Sequence, residues 1–181
     1  MRARKFEMSR FVCIFSVLLT CIFLPTLSSA WAKADFYAPA QGTPIVTVRG
    51  AITATNSADG LVLDLDQLKS LPQHSFTTST PWTEAKATFQ GVLLKDFIAA
   101  VGATGTTVTI TALDDYTNSI PITDAKDDGP MLAFLKDGEL ISIRDKGPLW
   151  LIYPFDDNAE YQTEETYAHS VWQIARIEFG N

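Results

Sequence analysis

The chain has 181 residues, with 14 Lys+Arg against 21 Asp+Glu, a net charge of −7 and a pI near 4.7. Nucleic acid and anionic lipid are repelled by that balance, which excludes both as partners. The only two cysteines, Cys13 and Cys21, fall in the first 34 residues. Residues 35–181 therefore hold no disulfide, cysteine nucleophile, iron–sulfur cluster or cysteine-ligated metal.

Met1–Arg10 carries Arg2, Arg4, Lys5 and Arg10 against a single Glu7. Phe11–Leu24 is apolar apart from Ser16 and Thr20, Pro25 breaks the run, and Ala30-Trp31-Ala32 and Ala32-Lys33-Ala34 offer cleavage sites. Basic, apolar and small residues in that order predict a secretory signal peptide, and the apolar run is short for a bilayer span. An uncleaved anchor is the alternative. The expectation is a leader over 1–34, cleaved after Ala32 or Ala34, and one domain over 35–181, exported to a bacterial periplasm with no membrane insertion after cleavage. That domain carries nine Lys+Arg against 20 Asp+Glu, a net charge of −11. Its size allows a core large enough to fold without disulfides.

After an irregular arm over Asp35–Thr43, Ile45–Gly50 alternates and is β-branched, which predicts a strand, and Leu61–Leu63 a short second one. Asp64–Leu71 places Leu at i, i+3 and i+6, with acids in its first turn and Pro72 past its end, a short capped helix. His74–Thr80 reads as extended. Val92–Val101 has apolar residues at helical spacing until Gly102 stops it. Thr106–Leu113 is the clearest strand, followed by a turn at Thr117-Asn118 and by Ile120-Pro121-Ile122. Met131–Leu135 and Glu139–Ile143 flank Lys136-Asp137-Gly138 as a hairpin. Leu149–Tyr153 and Val171–Phe179 are the last strands. Many short strands with two short helices predict a mixed α+β or mainly-β domain.

Neither histidine, His74 or His169, has a metal-spaced partner, and no nucleophile elbow, P-loop or dinucleotide fingerprint occurs. The pairs Asp114-Asp115, Asp127-Asp128 and Asp156-Asp157 are adjacent rather than alternating, so a calcium loop fails, and the last two read as solvated turns. The aromatics gather in the second half: Trp82, Tyr116, Trp150, Tyr153, Tyr161, Tyr167 and Trp172. Burial in a core accounts for such residues more often than a ligand wall does.

Five segments recur in a telling order: Phe89-Gln90-Gly91-Val92-Leu93-Leu94, Asp114-Asp115-Tyr116, Asp137-Gly138-Glu139-Leu140, Gly147-Pro148-Leu149-Trp150-Leu151-Ile152-Tyr153-Pro154, and Val171-Trp172. Together, over roughly Ile45–Phe179, they resemble the molybdopterin-binding domain of the sulfite oxidase family. The resemblance implies a single sulfite oxidase-like domain of mixed sheets and short helices. It departs from the family in three places. Where the family holds molybdenum by a cysteine thiolate, Phe76–Trp82 offers only hydroxyls. Trp150 stands at the position of an arginine, and Val171 at that of a lysine, both of which would help hold the cofactor's phosphate.

The resemblance thus implies no redox cofactor, no metal and no catalytic residue, but a surviving site for a pterin or related heterocycle. Trp82, Tyr116, Trp150 and Trp172 are the candidate stacking wall, Asp115 or Asp114 the acceptor for the ring's N–H donors, and Arg144 a contact to a ring oxygen or hydroxyl. A surface salt bridge of Arg144 with Asp145 or Glu139 is the alternative. Small exported members lacking the cysteine are similar to periplasmic pterin-binding regulatory proteins. These relay ligand state to the periplasmic part of a membrane sensor that controls cyclic-di-GMP, and with it biofilm growth. A molybdopterin-dependent oxidoreductase with a non-cysteine ligand, and a ligand-free protein-interaction module, are the alternatives.

Overall fold

The computed structural model describes residues 36–181, so the expected leader, with both cysteines, lies outside the described residues. In chain order the elements are β1 (Val46–Gly50), β2 (Leu61–Leu63), α1 (Leu65–Lys69), β3 (His74–Thr78), β4 (Ala87–Leu93), α2 (Leu94–Val101), β5 (Thr107–Ala112), β6 (Thr117–Pro121), β7 (Met131–Lys136), β8 (Glu139–Leu140), β9 (Trp150–Ile152), α3 (Glu164–His169) and β10 (Ile174–Gly180).

Alternating apolar residues build the first sheet, in the order β2-β1-β10-β5-β6. β1 runs parallel to β10, and the other pairs are antiparallel. One face is fully buried, with Val48, Leu61, Leu63, Val108, Ile110 and Ile177 all at 0% exposure. The second sheet runs β3-β4-β7-β8, with β9 also paired to β7. Phe89, Val92, Leu132 and Leu151 are buried on one of its faces. Two sheets with three short helices among the described residues form the expected α+β architecture.

α1 begins at a reciprocal cap: Gln67 N donates to Asp64 Oδ1, and Asp64 N donates to Gln67 Oε1, each at 3.0 Å. Asp64 Oδ2 also accepts from Gln41 N (3.0 Å) and Gly42 N (2.7 Å), and Gln67 Nε2 donates to Phe36 O and Ala38 O. The irregular arm is therefore stitched to the core through this capping pair, with further bonds from Tyr37 Oη to Ala100 O (2.8 Å) and from Asn56 Nδ2 to Ala38 O (2.9 Å). Burial pushes the Asp64 carboxyl up, but the amides of Gln67, Gly42 and Gln41 outweigh it and hold the group below the usual carboxylate range.

Four local expectations differ from the structure. The segment before α2 is a full strand, β4, with its register shifted between Gln90 and Gly91. A Cβ on Gly91 would lie 2.0 Å from the Leu132 carbonyl oxygen, so only glycine fits this crossing. The β5–β6 turn is not at Thr117-Asn118, which are paired within β6, but at Leu113–Tyr116. Tyr116 N donates to Asp114 Oδ1 (3.1 Å), closing the turn earlier and setting Asp115 at φ 65°. The hairpin strand after Gly138 pairs only at Glu139 and Leu140, and Ile143–Asp145 winds into a 3-10 turn. Finally, β10 begins at Ile174, while Trp172 makes an isolated bridge to Trp150.

Candidate functional site

The packing of five aromatic rings at the join of the two sheets creates an apolar cleft. Trp150, at the start of β9, is 1% exposed, and its Nε1 donates to Ser170 O (3.2 Å). Phe89 of β4 meets it edge-on at 5.4 Å. Trp82, in the loop between β3 and β4, lies over it, with ring centroids 5.8 Å from Trp150, 5.5 Å from Trp172 and 5.9 Å from Tyr167. These edge-to-face and tilted contacts suit aromatic quadrupoles.

Trp82, Tyr167 and Trp172, with Tyr116, Asp114 and Ala168, wall a predominantly apolar cleft of about 390 Å³. This falls within the range of small-molecule pockets, roughly 300–1,000 Å³. One wall is α3. Thr163 caps it by accepting from Thr166 N (3.1 Å), and Glu164 and Glu165 occupy the first turn, where the helix dipole favours acids. Its far end is pinned to β6: Asn118 Nδ2 donates to Ala168 O (2.9 Å), and Tyr116 Oη donates to the same oxygen (3.4 Å). Beside the cleft, Lys146 adopts φ 78° and holds its ammonium 4.6 Å from the Trp172 ring centroid, a cation–π contact.

Of the residues expected at the site, Trp82, Tyr116 and Trp172 line this cleft together. Asp114 lines it and Asp115 does not, because the turn geometry carries Asp115 outward at the tip. Trp150 lies beneath the wall as core, buried by Phe89, Trp82 and Trp172. Arg144 sits exposed in the 3-10 turn, outside the cleft lining, with no ion pair to Asp145 or Glu139; Asp145 instead accepts from Ser142 Oγ (2.7 Å). Tyr167, Ala168 and Lys146 were not among the expected site residues. α3 brings in the first two, and its sequence signal was the Thr163-Glu164-Glu165 start rather than any apolar period.

The hydroxyls that stand where the resemblance expects a thiolate are engaged in shaping a loop. Thr78, fully buried, accepts from Asp156 N (3.1 Å) and donates to Ser79 O (3.2 Å). Ser79 donates through both N and Oγ to Asp156 Oδ2, each at 2.9 Å, and Lys86 Nζ reaches the same oxygen at 2.8 Å. Lys86, then the Ser79 donors, hold the Asp156 carboxyl below its ordinary range. Thr80 Oγ1 is paired with Thr83 Oγ1 (3.0 Å). Hard, hydrogen-bonded hydroxyls do not replace a soft thiolate, and no group of three or more His, Cys, Asp or Glu converges among the described residues. This donor set does not fit a pterin-bound molybdenum.

Two sheets, short helices and an aromatic cleft at their join define the class: an α+β domain of the molybdopterin oxidoreductase kind. The chain belongs to the oxidoreductase molybdopterin binding domain family, whose model matches residues 46–155. Among solved structures it is similar to the sulfane dehydrogenase SoxCD from Paracoccus pantotrophus, at 19% identity and a TM-score of 0.56 over 75% of this chain. That likeness shows the fold alone, and it spans 37% of the SoxCD chain. No curated protein sequence matches significantly.

Proposed function

We propose that this chain is an exported binding protein for a pterin or related small heterocycle, without a redox metal, that relays ligand state to the periplasmic part of a membrane sensor controlling cyclic-di-GMP. The observation that carries the binding reading is the make-up of the cleft: aromatic faces of Trp82, Tyr167 and Trp172, with the Asp114 carboxylate at the rim. A flat aminopyrimidinone stacks on such a wall, and a carboxylate accepts its paired N–H donors. The leader-like first 34 residues and the net charge of the remainder support export and leave a protein partner as the receiver. Among the described residues no helix is long and apolar enough to cross a membrane. Family membership favours one rival, an oxidoreductase using molybdopterin with a non-cysteine ligand.

Titration of the purified protein with tetrahydropterin, read by tryptophan fluorescence, tests the reading. Saturable quenching is expected, weakened by Asp114→Asn and unchanged by Asp115→Asn. Equal loss in both variants, or no quenching, removes the acceptor assignment or the ligand class respectively. Stoichiometric molybdenum in the purified protein establishes the oxidoreductase instead.

A further inference from the structure

Behind α3, on the side opposite the aromatic cleft, lies a second pocket of about 290 Å³. Ala168 and Tyr167 face the first cleft, whereas Thr166 and His169 face the second, so one short helix divides them. At the second pocket the Tyr153 side chain is 1% exposed, and its hydroxyl has no hydrogen-bond partner among the described residues. The Asp124 carboxylate lines the same pocket and acts electrostatically on that hydroxyl, without a hydrogen bond of sound geometry between them. Burial, and after it the Asp124 charge, pushes the phenol well above its ordinary range, so it remains a neutral O–H. A buried, unpaired hydroxyl is costly enough that native proteins rarely leave one.

The charge around it is predominantly negative. Asp124, Glu160 and Glu165 face a single lysine, Lys126, and the His169 ring nitrogen is 3.8 Å from Asp124. The carboxylates do not converge as a metal set would, since no metal-holding group occurs among the described residues. An organic cation needs no such convergence: its N–H donors reach separate oxygens, and its charge lies well against aromatic faces. Tyr153 and Tyr161 line the pocket, with ring centroids 5.3 Å apart. The pocket is several times the roughly 30 Å³ share of one water molecule, so a single bridging water does not fill it.

The geometry points to a second ligand site, separate from the aromatic cleft, that takes a small ammonium-bearing molecule between the Tyr153 hydroxyl and the Asp124, Glu160 and Glu165 carboxylates. The ammonium donates to the phenol oxygen and to a carboxylate, giving the buried oxygen a partner as acceptor. The test uses the full domain with putrescine as probe, followed by calorimetry and by backbone amide shifts of Thr166 and His169. Saturable binding is expected, with those two amides moving, and with affinity reduced at least tenfold in both Tyr153→Phe and Glu165→Gln. Unchanged tryptophan emission certifies that each variant is folded. Absence of saturable binding overturns the site. So does equal binding of uncharged 1,4-butanediol, reproduction of the effect by sodium chloride at matched ionic strength, or full affinity in either variant.

Discussion

At the residue scale, Trp150 and Trp172 show how similar residues take different work from their surroundings. Their backbones form a bridge and their rings meet edge-on at 6.3 Å, yet only Trp172 borders the cleft. Trp150→Ala removes a fully buried indole and is expected to lower unfolding stability by about 3–5 kcal/mol. Trp172→Ala, half-buried at the surface of the same cluster, is expected to weaken heterocycle binding by about 1–3 kcal/mol with a smaller stability change. Urea titration and ligand titration of both variants separate the roles. Equal stability loss with unchanged affinity at Trp172 makes it core like its neighbour. Sequence offered no way to rank these two, because burial depends on which sheet face each strand presents. The same limit separates Asp114 from Asp115: their order in the chain is plain, but the positive φ that turns Asp115 outward arises from the closed turn.

At the element scale, α3 is the piece on which the cleft depends, and it has six residues. Helices this short are unstable alone, so its cap and its tethers to β6 hold it. Thr163→Ala removes the side chain that accepts from Thr166 N and is expected to cost about 1 kcal/mol locally. Faster amide exchange at Thr166–His169 and weaker quenching by tetrahydropterin should appear together; normal exchange with normal affinity shows that the Ala168 tethers suffice. α3 was hidden in the sequence because a six-residue segment cannot display a helical apolar period. β4 was hidden for the opposite reason: its apolar end, Val92-Leu93, runs directly into α2 and reads as one helix. Legible from pattern alone were β1, β2, β3, β5, β7, β9, α1 and the body of α2, where alternation, an apolar run or a capping pair is decided locally. Pairings between distant segments, such as β1 with β10, and the crossing at Gly91 are set by tertiary packing.

At the scale of the whole molecule, the titrating groups with shifted affinities predict a stability plateau bounded on both sides. Asp64 and Asp156 have folded pKa values below the ordinary carboxylate value of 3.8. Groups lowered in this way contribute stability that is present above the unfolded value and is lost as pH falls through the folded one. Tyr153 and Tyr161 are raised above the ordinary phenol value of 10.0, burial being the leading cause in each. Their contribution is full below the unfolded value and declines as pH rises beyond it, because the unfolded chain ionises first. Urea midpoints measured across pH should therefore be flat between about pH 5 and 9, falling below about 4 and above about 10. The two arms are separable. Asp64→Asn should lower the plateau and flatten the acid arm, since the amides of Gln41, Gly42 and Gln67 lose a charged acceptor. Tyr153→Phe should flatten the alkaline arm and, without ligand, leave the plateau level or raise it by about 1 kcal/mol, because it deletes a buried hydroxyl without a partner. A plateau lowered by that substitution means the hydroxyl is already satisfied in the free protein, and the cation pocket then loses its principal support.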